Sequence, residues 1–317
     1  MELGEFDLIA KYFTRVVKRA ALGVGDDCAL LAPRAGLQLA VSCDMLVEGR
    51  HFVSTVAPER LGHKALAVNL SDLAACGATP LAFMLALALL RADDGFVDGF
   101  ARGLFALADE HGCELVGGDT TQGPLNICIT VFGEVPAGAA LLRSGARAGD
   151  DIYVSGSVGD ARLALEVLRG TVDGIALEAV RAALELPQPR VALGVALRGV
   201  ASSAIDVSDG LLGDLSHVLQ RSNVGATIEV DAVPRSALLR AQPLALQRVC
   251  TLAGGDDYEL VFTAAPAASQ RVGEAAREAA VPVTRIGRIE AAAGLRLVDA
   301  QGRSVAGRFE SFDHFNS

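Results

Sequence analysis

Aspartates beside small residues recur along this chain in a pattern suited to binding a hard metal ion. One such aspartate is ordinary turn or helix-cap chemistry. Asp72 is harder to explain in that way, because it lies inside a predicted helix, where aspartate has a poor propensity. The repetition therefore indicates a shared chemical role. The clusters are Gly25-Asp26-Asp27, Ser42-Cys43-Asp44, Asn69-Leu70-Ser71-Asp72, Gly117-Gly118-Asp119-Thr120 and Asp206-Val207-Ser208-Asp209-Gly210.

Carboxylates that converge without counterions repel one another strongly, so these clusters predict bound cations. Oxygen donors without the spacing of His or Cys ligands favour Mg²⁺ or Ca²⁺ over zinc, and Mg²⁺ commonly joins one or two carboxylates to substrate phosphates. Glycines in the same turns leave backbone N–H groups that can face phosphate oxygens where helices begin. The residues therefore predict a nucleotide phosphate site with several Mg²⁺ ions. The candidate ligands are Asp27, Asp44, Asp72, Asp119, Asp206 and Asp209.

Signatures of other phosphate and calcium sites are missing from the sequence. No Gly-Lys pair occurs, which excludes a P-loop, and no glycine-rich dinucleotide fingerprint follows a predicted strand. The segment 206–210 has glycine where an EF-hand needs its fifth-position oxygen ligand, and no glutamate stands at the twelfth position. The common nucleotide-binding and calcium-binding motifs are therefore excluded.

Alternating strands and helices must position the aspartates. Hydrophobic periodicity and turn residues predict a strand over 37–47, a helix over 58–76 and a Gly-Gly-Asp-Thr turn at 117–120. Asn69 and Asp72 share one face of that helix. The other predicted elements are helices over 94–111, 161–169 and 211–221, and strands over 81–90, 125–135, 151–155, 226–230 and 258–263.

The segment 136–149 is rich in small residues and is the predicted domain boundary. A chain of 317 residues is long enough for two domains of roughly 150 residues each. We expect an α/β (α+β) protein in two domains. The amino-terminal domain, over 1–137, would hold a mixed sheet, and a carboxy-terminal α/β domain would cover 138–317.

The amino-acid composition limits the kinds of binding partner and the cellular compartment that we expect for this protein. The chain has 28 Lys and Arg against 38 Asp and Glu, a net charge of −10, so the clustered cations of a nucleic-acid interface are missing. No apolar run is long enough to span a membrane, and the amino terminus does not resemble a signal peptide. The six cysteines lie mostly among small or apolar residues, which favours buried, reduced thiols. We expect a cytoplasmic protein that binds neither nucleic acid nor membranes.

Several motifs, taken in order along the chain, resemble the thiamine-monophosphate kinase family. They are Gly25-Asp26-Asp27, the segments 44–52 and 64–75, Gly118-Asp119-Thr120-Thr121, and the segments 206–211 and 254–260. The wider superfamily includes aminoimidazole ribonucleotide synthetase, selenophosphate synthetase and a hydrogenase maturation protein. Within it, Val47-Glu48-Gly49-Arg50-His51-Phe52 and Gly254-Gly255-Asp256-Asp257-Tyr258-Glu259-Leu260 favour the kinase.

The resemblance implies ATP-dependent phosphorylation of thiamine monophosphate to thiamine diphosphate by direct in-line transfer. It also implies several Mg²⁺ ions, ATP as co-substrate, and an amino-terminal domain that binds ATP and Mg²⁺ and pairs with its twin in a homodimer. The apolar strand over 81–90 is a surface that such a partner could cover.

The same resemblance implies roles for individual residues, none of them as an acid or base catalyst beyond metal and phosphate positioning. The residues themselves leave other interpretations open: Phe105 could be a core residue, Arg143 a solvated linker charge, and His51 a surface histidine. The implied metal ligands are Asp27, Ser42, Asp44, Asp72, Asp119, Asp206 and Asp209. The implied nucleotide contacts are Gly118, Asp119, Arg143, Ser208 and Phe105, and the implied thiamine phosphate contacts are His51, Asp256 and Phe312.

Two other functions stay open at the level of sequence. One is another ATP-using reaction of the superfamily, of the amidine cyclo-ligase or selenophosphate synthetase type. The latter would need a reactive Cys or selenocysteine in a flexible amino-terminal loop, whereas Cys28 directly follows Asp27. The other function is that of a non-catalytic subunit that binds Mg²⁺ and nucleotide.

Overall fold

The computed structural model describes residues 4–25, 28–307 and 309. Two candidate site residues, Asp27 and Phe312, lie outside the described residues. Every helix within the described part of the chain is too short or too polar to cross a membrane. Two mixed sheets with accompanying helices make up the fold, which confirms the predicted α/β class.

The chain divides into two compact units, Met1–Leu73 with Ala78–Gly138, and Ala74–Gly77 with Ala139–Ser317. The first unit holds a four-stranded sheet in the order β1-β4-β2-β3, in which β2 and β3 are parallel and the other neighbours antiparallel. Its elements are α1 (Glu5–Leu8), a π-helical turn (Ile9–Phe13), β1 (Leu37–Val47), α2 (Pro58–Ala75), β2 (Thr79–Leu89), α3 (Asp94–Glu110), β3 (Glu114–Gln122) and β4 (Asn126–Pro136).

The predicted turn at 117–120 is wrong, because these residues lie inside β3. Leu85 of β2 pairs with Gly118, and Ala86 pairs with Asp119, after an irregularity between Phe83 and Met84. Gly118 has a φ of +146°, and a Cβ there would lie 1.8 Å from the carbonyl oxygen of Leu85. The close approach of two strands therefore requires this glycine.

Side-chain alternation gives β1 two chemically different faces. Ser42 and Asp44 face α2, whereas the apolar side chains of Leu39, Val41, Met45 and Val47 are exposed. In β2, Phe83 and Leu85 are buried inside the unit, whereas Met84, Ala86 and Leu90 are exposed, so the strand predicted over 81–90 keeps one exposed apolar side. The exposed apolar side is called the open face here, and it consists of Leu39, Val41, Met45, Val47 and Met84.

Two glycines allow α2 to pack closely against α3. A Cβ on Gly62 would lie 2.0 Å from the carbonyl oxygen of Phe100, and a Cβ on Gly103 would lie 1.8 Å from that of Glu59. Protein interiors have no spare room for such an atom. The separation of the two helices therefore depends on glycine at both positions.

The second unit holds a six-stranded sheet in the order β10-β7-β9-β5-β8-β6, in which only β10 and β7 are parallel among these pairs. A core of Ile152, Val154, Leu215, Val261 and Ile286 supports it. Its strands are β5 (Asp151–Ser155), β6 (Ser203–Asp206), β7 (Gly225–Glu229), β8 (Leu260–Ala264), β9 (Val283–Glu290) and β10 (Gly294–Val298). Its helices are α4 (Asp160–Leu168), α5 (Leu177–Glu185), α6 (Val191–Ala196), α7 (Leu211–Ser222), α8 (Ala237–Arg240), α9 (Leu244–Ala253) and α10 (Ser269–Glu278), with a 3₁₀ turn at Pro266–Ala268.

The cysteines differ in exposure, and all six are free. Cys113 and Cys250 are buried as predicted, and burial raises the pKa of Cys250 to about 12. Cys28 and Cys43 are exposed, so the prediction of buried thiols is wrong for these two. Cys43 is exposed because it points to the same side of β1 as the open face.

Replacing Gly103 with alanine should force α2 and α3 apart and lower the free energy of unfolding by about 1–3 kcal/mol, as overpacking does in other cores. The matched control is Gly95→Ala in α3, where the added Cβ meets only the Asp93 carboxylate, at 3.5 Å. Alanine favours a helix over glycine, so the control should be neutral or up to about 1 kcal/mol more stable. Chemical denaturation measures both variants, and equal stabilities would contradict the close packing.

Candidate active site

Ser42, Asp44 and Asp72 meet where β1 packs against α2. The Ser42 hydroxyl donates a short hydrogen bond to the Asp72 carboxylate. The backbone N–H of Asp44 donates to the side-chain oxygen of Asn69 at 3.1 Å. Asn69 is buried and donates to the carbonyl oxygen of Ala65 at 3.0 Å, which fixes its amide. These contacts confirm that Asn69 and Asp72 share one face of the helix.

His51 lies in the turn after β1. The backbone N–H of Val47 donates to His51 Nδ1 at 3.0 Å, so the neutral ring carries its proton on Nε2. The ammonium group of Lys64 donates to the carbonyl oxygen of His51 at 3.2 Å. This lysine is only 2% exposed. The fold therefore holds both the ring and the backbone of His51 in place.

Gly118 and Asp119 line a small surface pocket in the first unit. Phe13, Leu85 and Leu115 contribute apolar wall to the same pocket. Small-molecule sites commonly combine an apolar wall with a few polar groups. The pocket combines such an apolar wall with the side chain of Asp119.

The sheet register separates this pocket from the Ser42 cluster. Asp44 pairs with Ile129, Ile129 with Leu85, and Leu85 with Gly118, so all four lie in one row across the sheet. The row spans three strand spacings, about 14 Å from β1 to β3. The structure thus brings Ser42, Asp44 and Asp72 together and places Asp119 elsewhere on the same sheet.

Phe105 and Arg143 have different surroundings. Phe105 is half-buried on α3, and the guanidinium carbon of Arg15 lies 4.5 Å from its ring centroid. Arg15 also donates to both carboxylate oxygens of Asp109, at 3.0 and 3.1 Å. This cation–π contact gives the Phe105 ring a packing role in the unit. Arg143 is exposed in the second unit, so its guanidinium group is accessible to a ligand.

In the second unit, the end of β6 and the loop that leads to α7 carry three candidate residues. Asp206 is buried, whereas Ser208 and Asp209 are half-buried. The Asp214 carboxylate accepts hydrogen bonds from the backbone N–H groups of Ser208, Asp209 and Gly210, at 3.1, 3.1 and 3.0 Å. The expectation that the amides of such a turn face phosphate is therefore wrong for this loop.

The buried position of Asp214 affects its charge. Burial raises the pKa of its carboxyl group to about 7, and the nearby Asp209 carboxylate adds to the shift. The three backbone N–H groups oppose the shift because they stabilise the ionised form.

Residues 254–259 pack against the same loop through their backbone. The N–H of Asp256 donates to the carbonyl oxygen of Ser208 at 2.8 Å, and the N–H of Tyr258 donates to that of Val207 at 2.9 Å. Asp256 and Tyr258 both adopt positive φ, +65° and +51°. The Tyr258 hydroxyl donates to the Asp256 carboxylate at 3.1 Å. Positive φ is unfavourable for residues other than glycine. Because two residues of this segment adopt it, the surrounding contacts must hold the segment firmly.

The oxygen donors fit a hard divalent cation better than a soft one. Ser42, Asp44 and Asp72 supply hydroxyl and carboxylate oxygens in the first unit, and Asp206 and Asp209 supply carboxylates in the second. Among the described residues, no three His, Cys, Asp or Glu side chains could hold a metal ion by themselves. Mg²⁺ suits such a donor set, because it usually keeps several waters and uses substrate phosphates as further ligands.

Sequence reasoning assigned no role to Lys64, Asp214 or Tyr258, all of which contact candidate residues. For Lys64 and Tyr258, the sequence offered one indication of a role, because both lie inside motifs that carry the family resemblance. Asp214 had none, because an acidic residue in the first turn of a helix is ordinary.

Comparison of this chain with family models and with known proteins shows which family it belongs to. The model for AIR synthase related protein, N-terminal domain, matches residues 25–135, and the model for its C-terminal domain matches residues 147–300. The thiamine-monophosphate kinase of Salmonella typhimurium is 43% identical over 324 residues, covering 99% of each chain. The chain belongs to the thiamine-monophosphate kinase family. The resemblance seen in the motifs is thereby confirmed.

Solved structures of thiamine-monophosphate kinases extend the likeness to three dimensions. The enzyme from Stenotrophomonas maltophilia K279a is 44% identical and has a TM-score of 0.85, with 94% of this chain and 95% of that chain covered. The structure described as AaThiL complexed with AMPPCP and TMP is 28% identical and has a TM-score of 0.77, with 99% of each chain covered. Both likenesses include nearly the whole of this chain.

Proposed function

We propose that this chain transfers the γ-phosphoryl group of ATP directly to thiamine monophosphate, forming thiamine diphosphate. The observation that carries the proposal is the contact between β1 and α2, which places Ser42, Asp44 and Asp72 together in a chain of this kinase family. A relative bound to AMPPCP, an analogue of ATP, and TMP supports the choice of both substrates.

In this proposal the aspartates hold several Mg²⁺ ions. Mg²⁺ screens the phosphate charges and stabilises the negative charge of the transition state. Ser42, Asp44 and Asp72 would contribute ligands together, and Asp27, Asp119, Asp206 and Asp209 would contribute the others. Both substrates are anionic and the chain has a net charge of −10, so bound cations would lower the repulsion between substrate and protein.

Nucleotide contacts would come from the pocket at Gly118 and Asp119, and from Arg143 and the Ser208 side chain. The backbone N–H of Ser208 is already bonded to Asp214, so the hydroxyl is the group of Ser208 available to the nucleotide. Phe105 would take part through the part of its ring that Arg15 leaves uncovered. Asp256 and Phe312 would contact thiamine monophosphate.

His51 would bind the substrate phosphate without moving a proton. Its Nδ1 accepts the N–H of Val47, and its Nε2 carries the proton, so the neutral ring can donate but has no ring lone pair left to act as a base. The acceptor phosphate oxygen is also largely ionised near neutrality, because a second phosphate pKa is about 6. A loose transition state needs little help from a base.

The proposal is tested by incubating the purified protein with ATP, MgCl₂ and thiamine monophosphate and separating the products by chromatography. We expect thiamine diphosphate and ADP in equal amounts, and no product when EDTA removes the metal. A lack of thiamine diphosphate at high enzyme concentration would refute the proposal. If the reaction continued in the presence of EDTA, only the proposed role of Mg²⁺ would be refuted, and the assignment of the substrates would stand.

Asp72→Asn should lower kcat by about 10²-fold or more, because a charged ligand becomes a neutral amide while the helix keeps its shape. The control is Asp98→Asn, which makes the same change on the exposed surface of α3, where Asp98 pairs with Arg102. The control should retain full turnover, and circular dichroism should be the same for both variants. Near-wild-type activity of Asp72→Asn in saturating Mg²⁺ would mean that Asp72 is only structural.

His51→Asn should raise KM for thiamine monophosphate by about 10-fold and leave kcat nearly unchanged, because asparagine keeps a hydrogen-bond donor. Loss of a general base would instead lower kcat by about 10²–10⁴-fold. His217→Asn, on the exposed surface of α7, is the control and should change neither constant. Steady-state kinetics with each substrate varied in turn separate the two effects, and a large fall in kcat at constant KM would contradict a binding role.

We also propose that the chain forms a homodimer through the open face of the first unit. Residues 1–137 would then both form the dimer interface and bind ATP and Mg²⁺. Support comes from the exposure of Val41 and Met45, which are 58% and 54% accessible on an edge strand. Contiguous exposed apolar side chains commonly mark an interface. A cytoplasmic location is part of the proposal, and the six free cysteines agree with a reducing compartment.

Met45→Asp should convert the dimer to a monomer of 32.7 kDa, because it puts a charge at the centre of the open face. Val16→Asp is the control, since Val16 is 91% exposed in the same unit but lies outside the sheet. Light scattering after size exclusion should find a dimer for the wild type and for this control. A wild-type protein that is monomeric at micromolar concentration would refute the interface.

A further inference from the structure

The side chain of Asp214 binds the backbone of the loop that precedes α7. It lies in the first turn of that helix and is 3% exposed. One oxygen of its carboxylate accepts the backbone N–H groups of Ser208, Asp209 and Gly210, all within 3.1 Å. Three successive amides at a helix start normally attract a bound anion. Here the Asp214 carboxyl group occupies that position.

The carbonyl side of the loop is fixed as well. Ser208 and Val207 accept hydrogen bonds from Asp256 and Tyr258, and the N–H of Val207 donates to the carbonyl oxygen of Glu259 at 2.8 Å. A Cβ on Gly255 would lie 2.3 Å from the carbonyl oxygen of Ser208, so the two segments are in close contact. The loop is therefore held at its carbonyl groups by one segment and at its amides by a single side chain.

We propose that Asp214 is a positioning residue for phosphoryl transfer, which fixes the backbone so that the carboxylates of Asp206 and Asp209 keep the geometry needed to bind metal. The inference rests on the proposed function. The three amides use one carboxylate oxygen of Asp214, Oδ2, and the residue is buried, so we expect it to act on the metal only through Asp206 and Asp209. Partners that orient metal ligands in this way typically change metal affinity by about 10–100-fold when they are removed.

A helix cap with no role in the site would affect stability alone. The two roles differ in metal affinity, so the test measures binding as well as turnover. Asp214→Ala removes the acceptor and leaves three amides without it. Asp214→Asn keeps one acceptor oxygen, Oδ1, and loses the charge. The control is Asp150→Asn, because Asp150 is 5% exposed in the same unit and accepts from the Arg147 N–H at 3.0 Å and the Ser202 hydroxyl at 2.6 Å.

The experiment titrates Mn²⁺ into each full-length protein with AMPPCP present and follows free Mn²⁺ by electron paramagnetic resonance. Thermal unfolding and Mg²⁺-dependent turnover are measured in parallel. For Asp214→Ala we expect at least about 10-fold weaker Mn²⁺ binding and a matching rise in the Mg²⁺ needed for half-maximal turnover. Asp214→Asn should shift both by a smaller factor. Asp150→Asn should lower the unfolding temperature but leave both metal constants unchanged.

Wild-type Mn²⁺ affinity in a folded Asp214→Ala protein would overturn the proposal, as would an equal loss of affinity in Asp150→Asn. If Asp214→Ala fails to fold, the comparison of Asp214→Asn with Asp150→Asn decides, and equal metal constants there overturn the proposal. A wild-type protein that binds Mn²⁺ but makes no thiamine diphosphate would refute the proposed function. Failure of the wild type to bind Mn²⁺ with AMPPCP would overturn both.

Discussion

Carboxylates placed close together repel one another, and this repulsion limits how the aspartates of this chain can be held. The fold provides neutral hydrogen-bond donors for them. A serine hydroxyl donates to Asp72, a tyrosine hydroxyl to Asp256, and three backbone amides to Asp214. Donors of this kind stabilise the ionised carboxylates. The polypeptide can therefore fold with its acidic residues already in place.

Rigid elements carry these donors. In the first unit, the facing sides of β1 and α2 supply Ser42, Asp44 and Asp72. The helix α2 packs closely against α3 because Gly62 and Gly103 leave no room for a side chain. In the second unit, the loop before α7 is held by backbone hydrogen bonds to residues 254–259. Such rigidity suits a reaction in which positioning and electrostatics supply most of the catalysis.

The amides of the second unit illustrate how a local pattern can mislead. A glycine-containing turn before a helix is the common arrangement for binding phosphate. In this chain the three amides from Ser208 to Gly210 are occupied by Asp214, so the loop presents side chains to a ligand, not backbone N–H groups. Phosphate recognition would then depend more on Mg²⁺ and on exposed cations such as Arg143.

The sequence alone determined the class of fold, the family and the bounds of β1 and α2 to within a residue, because periodicity and motif order are local properties. It also determined that Asn69 and Asp72 share a helix face. Only the tertiary structure decided that 117–120 is a strand, that β1 carries the open face, and that Asp214 holds the loop before α7. These depend on strand register and on contacts between distant segments, which no local pattern encodes. Gly118 is an example, because its need for glycine comes from the Leu85 carbonyl of a neighbouring strand.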